Sequence, residues 1–130
     1  MREHLMNKTG VHKTILVVED DPAISEVLIY AFQDAEHYHY HIMLATDSYE
    51  ALKLLEGVRP ALCLLDYNLP GMNGIQLYDT IHNRQGLEQV RALLMSANLP
   101  EEEMEKRHIE GIHKPFDLDV LLEDVERILM

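Results

Sequence analysis

One cysteine stands in the 130 residues, at position 63, so no disulfide can form within the chain. It lies inside the apolar run Ala61-Leu62-Cys63-Leu64-Leu65 and reads as a small core hydrophobe rather than a reactive thiol. A reducing cytoplasm is the setting this composition suggests. Positive charge is scarce as well: 11 Lys and Arg face 23 Asp and Glu, for a formal net charge of -12. Phosphate backbones and anionic membrane surfaces both demand a basic face, so neither nucleic-acid nor membrane binding is expected of this domain. No apolar run approaches the roughly 20 residues of a transmembrane helix. The polar stretch 1–14 contains no apolar signal-peptide region. There is no internal repeat and no long linker.

What is present is a 47% hydrophobic chain, enough for one domain with a full core. Its acidic residues are placed with a pattern. Ile15-Leu16-Val17-Val18 runs straight into Glu19-Asp20-Asp21, and the run from Ala61 to Leu65 ends on Asp66. Each run is short, β-prone and followed at once by a turn, which reads as a buried strand carrying carboxylate at its C-terminal end. A third run, Val90 to Met95, ends at Ser96, and Ile112 leads to Lys114-Pro115. In an open α/β sheet, ligands bind at the carboxyl ends of the strands. Clustered carboxylates there repel one another, by about 4 kcal/mol per pair at ~4 Å and an effective dielectric of about 20. Such a cluster calls for a cation, and an all-oxygen ligand set favours Mg²⁺.

Along the chain, residues 1–13 read as a tail and 14–130 as the domain. Strands are expected over 14–19, within 37–45, over 61–66 and 90–95, and near 111–113. Asp21-Pro22 reads as an N-cap with proline at the first helical position. That helix should reach about Ala35, with Ile24, Val27, Leu28, Ala31 and Phe32 on its apolar face. A second helix follows Asp47 or Ser48, and a third covers about 74–83. A fourth starts at Pro100, with Glu101 to Glu103 in its first turn and Lys106 and Arg107 in its last, an order that complements the helix dipole. The last covers about 117–129. Apolar strands alternating with amphipathic helices imply a parallel sheet covered on both faces.

Four motifs together resemble the receiver domain of two-component response regulators. They are Ile15-Leu16-Val17-Val18-Glu19-Asp20-Asp21, Leu64-Leu65-Asp66-Tyr67-Asn68-Leu69-Pro70-Gly71-Met72-Asn73-Gly74, Met95-Ser96-Ala97 and Lys114-Pro115-Phe116. The resemblance covers roughly residues 14–130. It implies a flavodoxin-like, doubly wound, five-stranded parallel sheet of order 2-1-3-4-5. It further implies Mg²⁺-dependent acceptance of a phosphoryl group from a histidine kinase or phosphotransfer protein, with output through a partner interaction. By position, Asp66 is the implied phosphoacceptor. Asp20, Asp66 and the Asn68 carbonyl are implied metal ligands, with Glu19 acting mainly through water. Lys114 would pair with Asp66 and then with the phosphoryl group, and Ser96 would donate its hydroxyl beside the Ala97 N–H. A cis Lys114–Pro115 bond is also implied.

The chain departs from the family pattern at Gly111, where an aromatic residue or His often stands three before the lysine. The 18-residue separation from Ser96 to Lys114 is short for the family, so a shortened fourth helix is expected. Tyr67 could replace the missing aromatic as a sensor, or merely line the pocket edge. A Mg²⁺-dependent aspartyl phosphatase is the alternative reading, but Asn68 stands where its second carboxylate belongs. A flavin module would need an anion-binding loop after strand one, where this chain has Glu19-Asp20-Asp21. His37, His39 and His41 alternate on one strand face and could chelate a transition metal, against the simpler reading of a solvated polar edge.

Overall fold

The computed structural model describes residues 11–130. Five parallel strands form one sheet: β1 (His12–Val18), β2 (His39–Ala45), β3 (Leu62–Asp66), β4 (Arg91–Ser96) and β5 (Glu110–His113). Their order is β2-β1-β3-β4-β5. The five helices between and after them are α1 (Pro22–Gln33), α2 (Ser48–Leu54), α3 (Gly74–His82), α4 (Glu101–Arg107) and α5 (Leu118–Leu129). This is the doubly wound order expected. The tail assigned to residues 1–13 lies almost wholly outside the described residues, and β1 begins inside it, at His12.

The continuous apolar strands explain the layering. Successive side chains point to opposite faces, so Leu16 and Val18 enter one core with Ala51, Leu77, Ile81 and Met104 from α2, α3 and α4. Ile15 and Val17 enter the other, with Leu28 and Phe32 of α1 and Leu121 and Val125 of α5. A strand buried on both faces cannot alternate with polar residues, which is why β3 is buried along its full length.

Helix starts follow local chemistry. Asp21 Oδ1 accepts the Ala23 N–H at 2.9 Å ahead of Pro22. Asp47 caps α2, and Asn73 with Gln76 forms a reciprocal capping box on α3. The apolar face read for α1 is corrected at one position. Val27 is 48% exposed, whereas Ser25 is buried with its hydroxyl directed to the Asp21 and Pro22 carbonyls. The 25-28-32 row faces the sheet; Ile24 and Val27 sit on the adjoining row, so the apolar stripe is wider than the core contact. In α5, Val120 is likewise exposed. The fourth helix has seven residues. The Lys114–Pro115 bond is cis.

Candidate functional site

Register places the chemistry. Val18 lies opposite Leu65, so Glu19 leaves β1 level with Asp66 at the end of β3. Asp66 pairs with Met95, one residue before Ser96. Ser96 pairs with His113, one residue before Lys114, and the Lys114 N–H donates to the Ser96 carbonyl at 2.9 Å. Four strand ends therefore bring Glu19, Asp66, Ser96 and Lys114 to one edge of the sheet. The Tyr67 N–H donates to the Met95 carbonyl and the Gly74 N–H to the Tyr67 carbonyl, which turns the chain sharply away from Asp66. Gly74 is needed there: a Cβ would stand 2.7 Å from the Asp66 carbonyl oxygen and 2.7 Å from Leu94 Cδ1.

Glu19 is 1%, Asp66 3% and Ser96 0% exposed, while Asp20 and Asn68 face solvent. Lys114 Nζ donates to Glu19 Oε1 at 2.7 Å and lies 3.3 Å from Asp66 Oδ1. The lysine thus sits closer to Glu19 than to the Asp66 partner implied by the sequence. Glu19 Oε2 accepts the Asp21 N–H at 3.1 Å, so both its oxygens are engaged. The Asn68 N–H donates to Asp66 Oδ1 at 3.2 Å. Ser96 Oγ accepts the Asn98 N–H at 3.0 Å, which leaves the hydroxyl proton available to an acceptor in the site.

Burial pushes the Glu19 carboxyl up, against the Lys114 hydrogen bond and the Asp21 N–H, and the charge of Asp66 adds to the rise. On Lys114, burial favours the neutral amine, but the Glu19 hydrogen bond and the Glu19 and Asp66 charges outweigh it and hold the ammonium above its ordinary range. The lysine direction governs the pair, because two buried carboxylates share that one cation. Glu19, Asp20 and Asp66 each offer a carboxylate oxygen, and these oxygens all lie within 4.8 Å of one another. An all-oxygen donor set of this charge fits a hard cation such as Mg²⁺.

The histidine alternation does not gather a metal site. His37 leaves the strand face and meets Glu126 of α5 at 2.9 Å. His39 stacks on His12 with ring centroids 5.0 Å apart. Tyr67 is half-buried and packs on the core of the α2–α3 face. Burial pushes the Cys63 thiol up to about 12, in line with an inert core residue. The sequence reading missed an apolar groove of about 600 Å³ beside Lys114, lined by Ala23, Ile24, Val27, Pro115, Phe116 and Leu118. The outward apolar row of α1 was its signal.

Residues 15–126 match the family model described as the response regulator receiver domain. The chain is 31% identical over 115 residues to Protein Rrf1 of Nitratidesulfovibrio vulgaris, covering 88% of this chain and 81% of that one. It is 28% identical over 123 residues to sporulation initiation phosphotransferase F of Bacillus subtilis, covering 92% of this chain and 95% of that one. Its fold matches the receiver domain of a sensor histidine kinase from Pseudomonas aeruginosa, solved with magnesium in the active-site cleft, with a TM-score of 0.79 and 23% identity over 92% of this chain and 98% of that one. With the family model spanning most of its length and its acidic strand ends converging on one aspartate, this chain belongs to the response regulator receiver domains of two-component signalling.

Proposed function

We propose that this receiver accepts a phosphoryl group onto Asp66 from the phosphohistidine of a kinase or phosphotransfer protein. One observation carries the reading: a buried carboxylate at the end of the central strand, 3.3 Å from an ammonium and grouped with two further carboxylates. An Asp66 oxygen attacks phosphorus; the new P–O bond forms as the P–N bond breaks, and its electron pair stays with the departing imidazole. Lys114 is placed to shift from Glu19 and Asp66 onto a phosphoryl oxygen. Ser96 supplies a hydroxyl donor whose own oxygen is already fixed by Asn98. Phosphoryl transfer asks little more of the protein than alignment and charge neutralisation.

Glu19, Asp20 and Asp66, together with the Asn68 carbonyl, would hold Mg²⁺, which neutralises charge on the transferring group when bound. Asn68 offers no general base two residues after the nucleophile, so the domain serves as an acceptor rather than an enzyme turning over external phosphomonoesters. The groove lined by Ile24, Val27 and Phe116 opens beside Lys114 and gives the phosphodonor protein an apolar seat next to the reacting atoms. No helix among the described residues is long and apolar enough to cross a membrane. A cytoplasmic location, with output through a phosphorylation-dependent protein contact, is the reading we infer from the single cysteine and the receiver family.

The test is incubation with acetyl phosphate and Mg²⁺. Wild type should take up hydroxylamine-sensitive phosphate, and Asp66→Asn should take up none. Wild-type labelling in that variant would assign the phosphate elsewhere.

A further inference from the structure

The cations of this acid-rich chain are sorted by their partners. Lys106, Arg107, Lys114 and Arg127 all sit on carboxylates. Among the described residues Lys13, Lys53, Arg59, Arg84 and Arg91 sit on none, although acids outnumber basic residues two to one. Lys53 lies over the Tyr49 ring, and the other four lie together, at the N-terminal end of the strands. Lys13 and Arg91 stand at or beside the starts of β1 and β4, Arg59 precedes β3, and Arg84 follows α3. Two adjoining cavities of about 500 and 530 Å³ share Arg59 in their walls. Arg84 lines the first, and Lys13 and Arg91 line the second.

Three of these side chains are held in place without being neutralised. Arg84 Nη1 donates to the Leu52 carbonyl at 2.8 Å, and Arg91 Nη1 donates to the Ile128 carbonyl. Each bond fixes a guanidinium by one donor and leaves the rest of its fork open. The Arg59 guanidinium lies over Gly86, where a Cβ would stand 2.5 Å from its Nη2. Gly86 has φ +87, so the backbone there also calls for glycine. Among the described residues Arg59 makes no hydrogen bond or ion pair. The lining includes two acids, Glu56 and Glu88, and Glu88 Oε1 already accepts the Gly86 N–H at 2.8 Å. The local balance is therefore positive in a molecule of net charge -12.

We propose that this end of the sheet binds an oxyanion group, a carboxylate or a phosphate, with Arg59 as its central donor. Planar guanidinium forks match such groups through paired N–H···O bonds. Cavities of this size suit a small ligand or one acidic side-chain cluster. A nucleic acid is the wrong occupant, because the rest of the surface would repel an extended polyanion. The site is distinct from the phosphoacceptor: the five residues of β3 separate the two ends by roughly 16 Å at about 3.3 Å per residue.

The experiment is an NMR titration of ¹⁵N-labelled protein at low salt and without Mg²⁺, with the Gly86 amide and the Arg59 Nε–H as reporters. One arm adds inorganic phosphate and the other a glutamate-rich peptide. Saturable shifts at both reporters are expected in at least one arm. A response to phosphate alone identifies a small free anion, and a response to the peptide alone identifies an acidic protein segment. Arg59→Gln should weaken binding by about tenfold or more, through loss of charge-assisted hydrogen bonds. It should leave Mg²⁺-dependent labelling of Asp66 unchanged, because Arg59 is exposed and remote from it. Asp66→Asn should bind the anion as wild type does. Shifts that fail to saturate in both arms, or an Arg59→Gln variant that responds like wild type, would overturn the proposal.

Discussion

Gly111 shows how one absent side chain shapes its neighbourhood. It lies three residues before Lys114, and a Cβ there would stand 2.5 Å from Met104 Cε and 3.0 Å from Leu99 Cδ2. The space that a larger residue would take is filled from α4 and from the loop after Ser96. Gly111→Ala therefore sets two effects against each other. Alanine stiffens the unfolded chain, which favours folding by about 0.4–1 kcal/mol. The atoms met are terminal methyls of Met104 and Leu99, which can rotate aside, so overpacking costs no more than the low end of about 1–3 kcal/mol. The net expectation is a small destabilisation, under about 1 kcal/mol, measured by urea unfolding. Met104→Ala in the same chain should recover part of it, because the two changes share one contact. If the double variant is no better than the sum of the singles, the clash is not the cause. We expect the response of a receiver with no aromatic at this position to run through backbone and loop, and Leu99 and Met104 are the side chains seated there.

Helix α4 is weakly held by its own residues. It is seven residues long, lacks a side-chain N-cap and buries only Met104. Its anchor is Arg107, which forks onto both oxygens of Asp79 in α3 at 2.7 and 2.8 Å and also meets Glu103. The Arg107 hydrogen bonds hold the Asp79 carboxyl below its ordinary value, against a smaller opposing effect of burial. A depressed carboxyl contributes stability above its unfolded pKa and loses it as pH falls through the lower folded value. The fork should thus be intact at neutral pH and release α4 in acid, below about pH 4. Asp79 is 45% exposed, so solvent screens the pair and its worth is about 0.5–1 kcal/mol. Asp79→Asn should lower stability by that amount at pH 7 and by nothing near pH 2, and faster amide exchange in α4 should accompany it. An equal loss at both pH values would mean that charge is not what holds the helix. On the opposite face of the sheet, α1 presents Ile24 and Val27 to the groove beside Lys114. Ile24→Asp should slow phosphoryl transfer from a protein donor by tenfold or more while leaving labelling by acetyl phosphate within about twofold. Equal slowing with both donors would place Ile24 in the site rather than at a docking seat.

At the scale of the whole molecule, the fold concentrates negative charge at one end of its sheet. Glu19 and Asp66 are buried there against one ammonium. A cation that binds the native cluster and not the unfolded chain stabilises by mass action, by about 2.7 kcal/mol at 100 times its dissociation constant. The melting temperature should rise between chelator and millimolar Mg²⁺, and Asp20→Ala should remove most of the rise. An unchanged midpoint in wild type would show that the carboxylates are already satisfied by Lys114 and the backbone.

Much of this was legible in the sequence, because it depends on local periodicity. Apolar runs ending in Glu19, Asp66, Ser96 and Lys114 fixed which residues sit at strand ends, and parallel register then brings strand ends to one side of a sheet. The caps at Asp21 and Asp47 and the inert Cys63 also follow from near neighbours. Only the tertiary structure decided the pairings across long separations: Lys114 on Glu19 in preference to Asp66, Arg107 on Asp79, His37 drawn off its strand to Glu126, and Leu99 and Met104 packed over Gly111. It also decided that Val27 faces outward while Ser25 faces in. Such contacts depend on how crossover helices settle against the sheet, where a shift of one helical row exchanges partners. Periodicity shows that a stripe is apolar but leaves open which of its edges the core will cover.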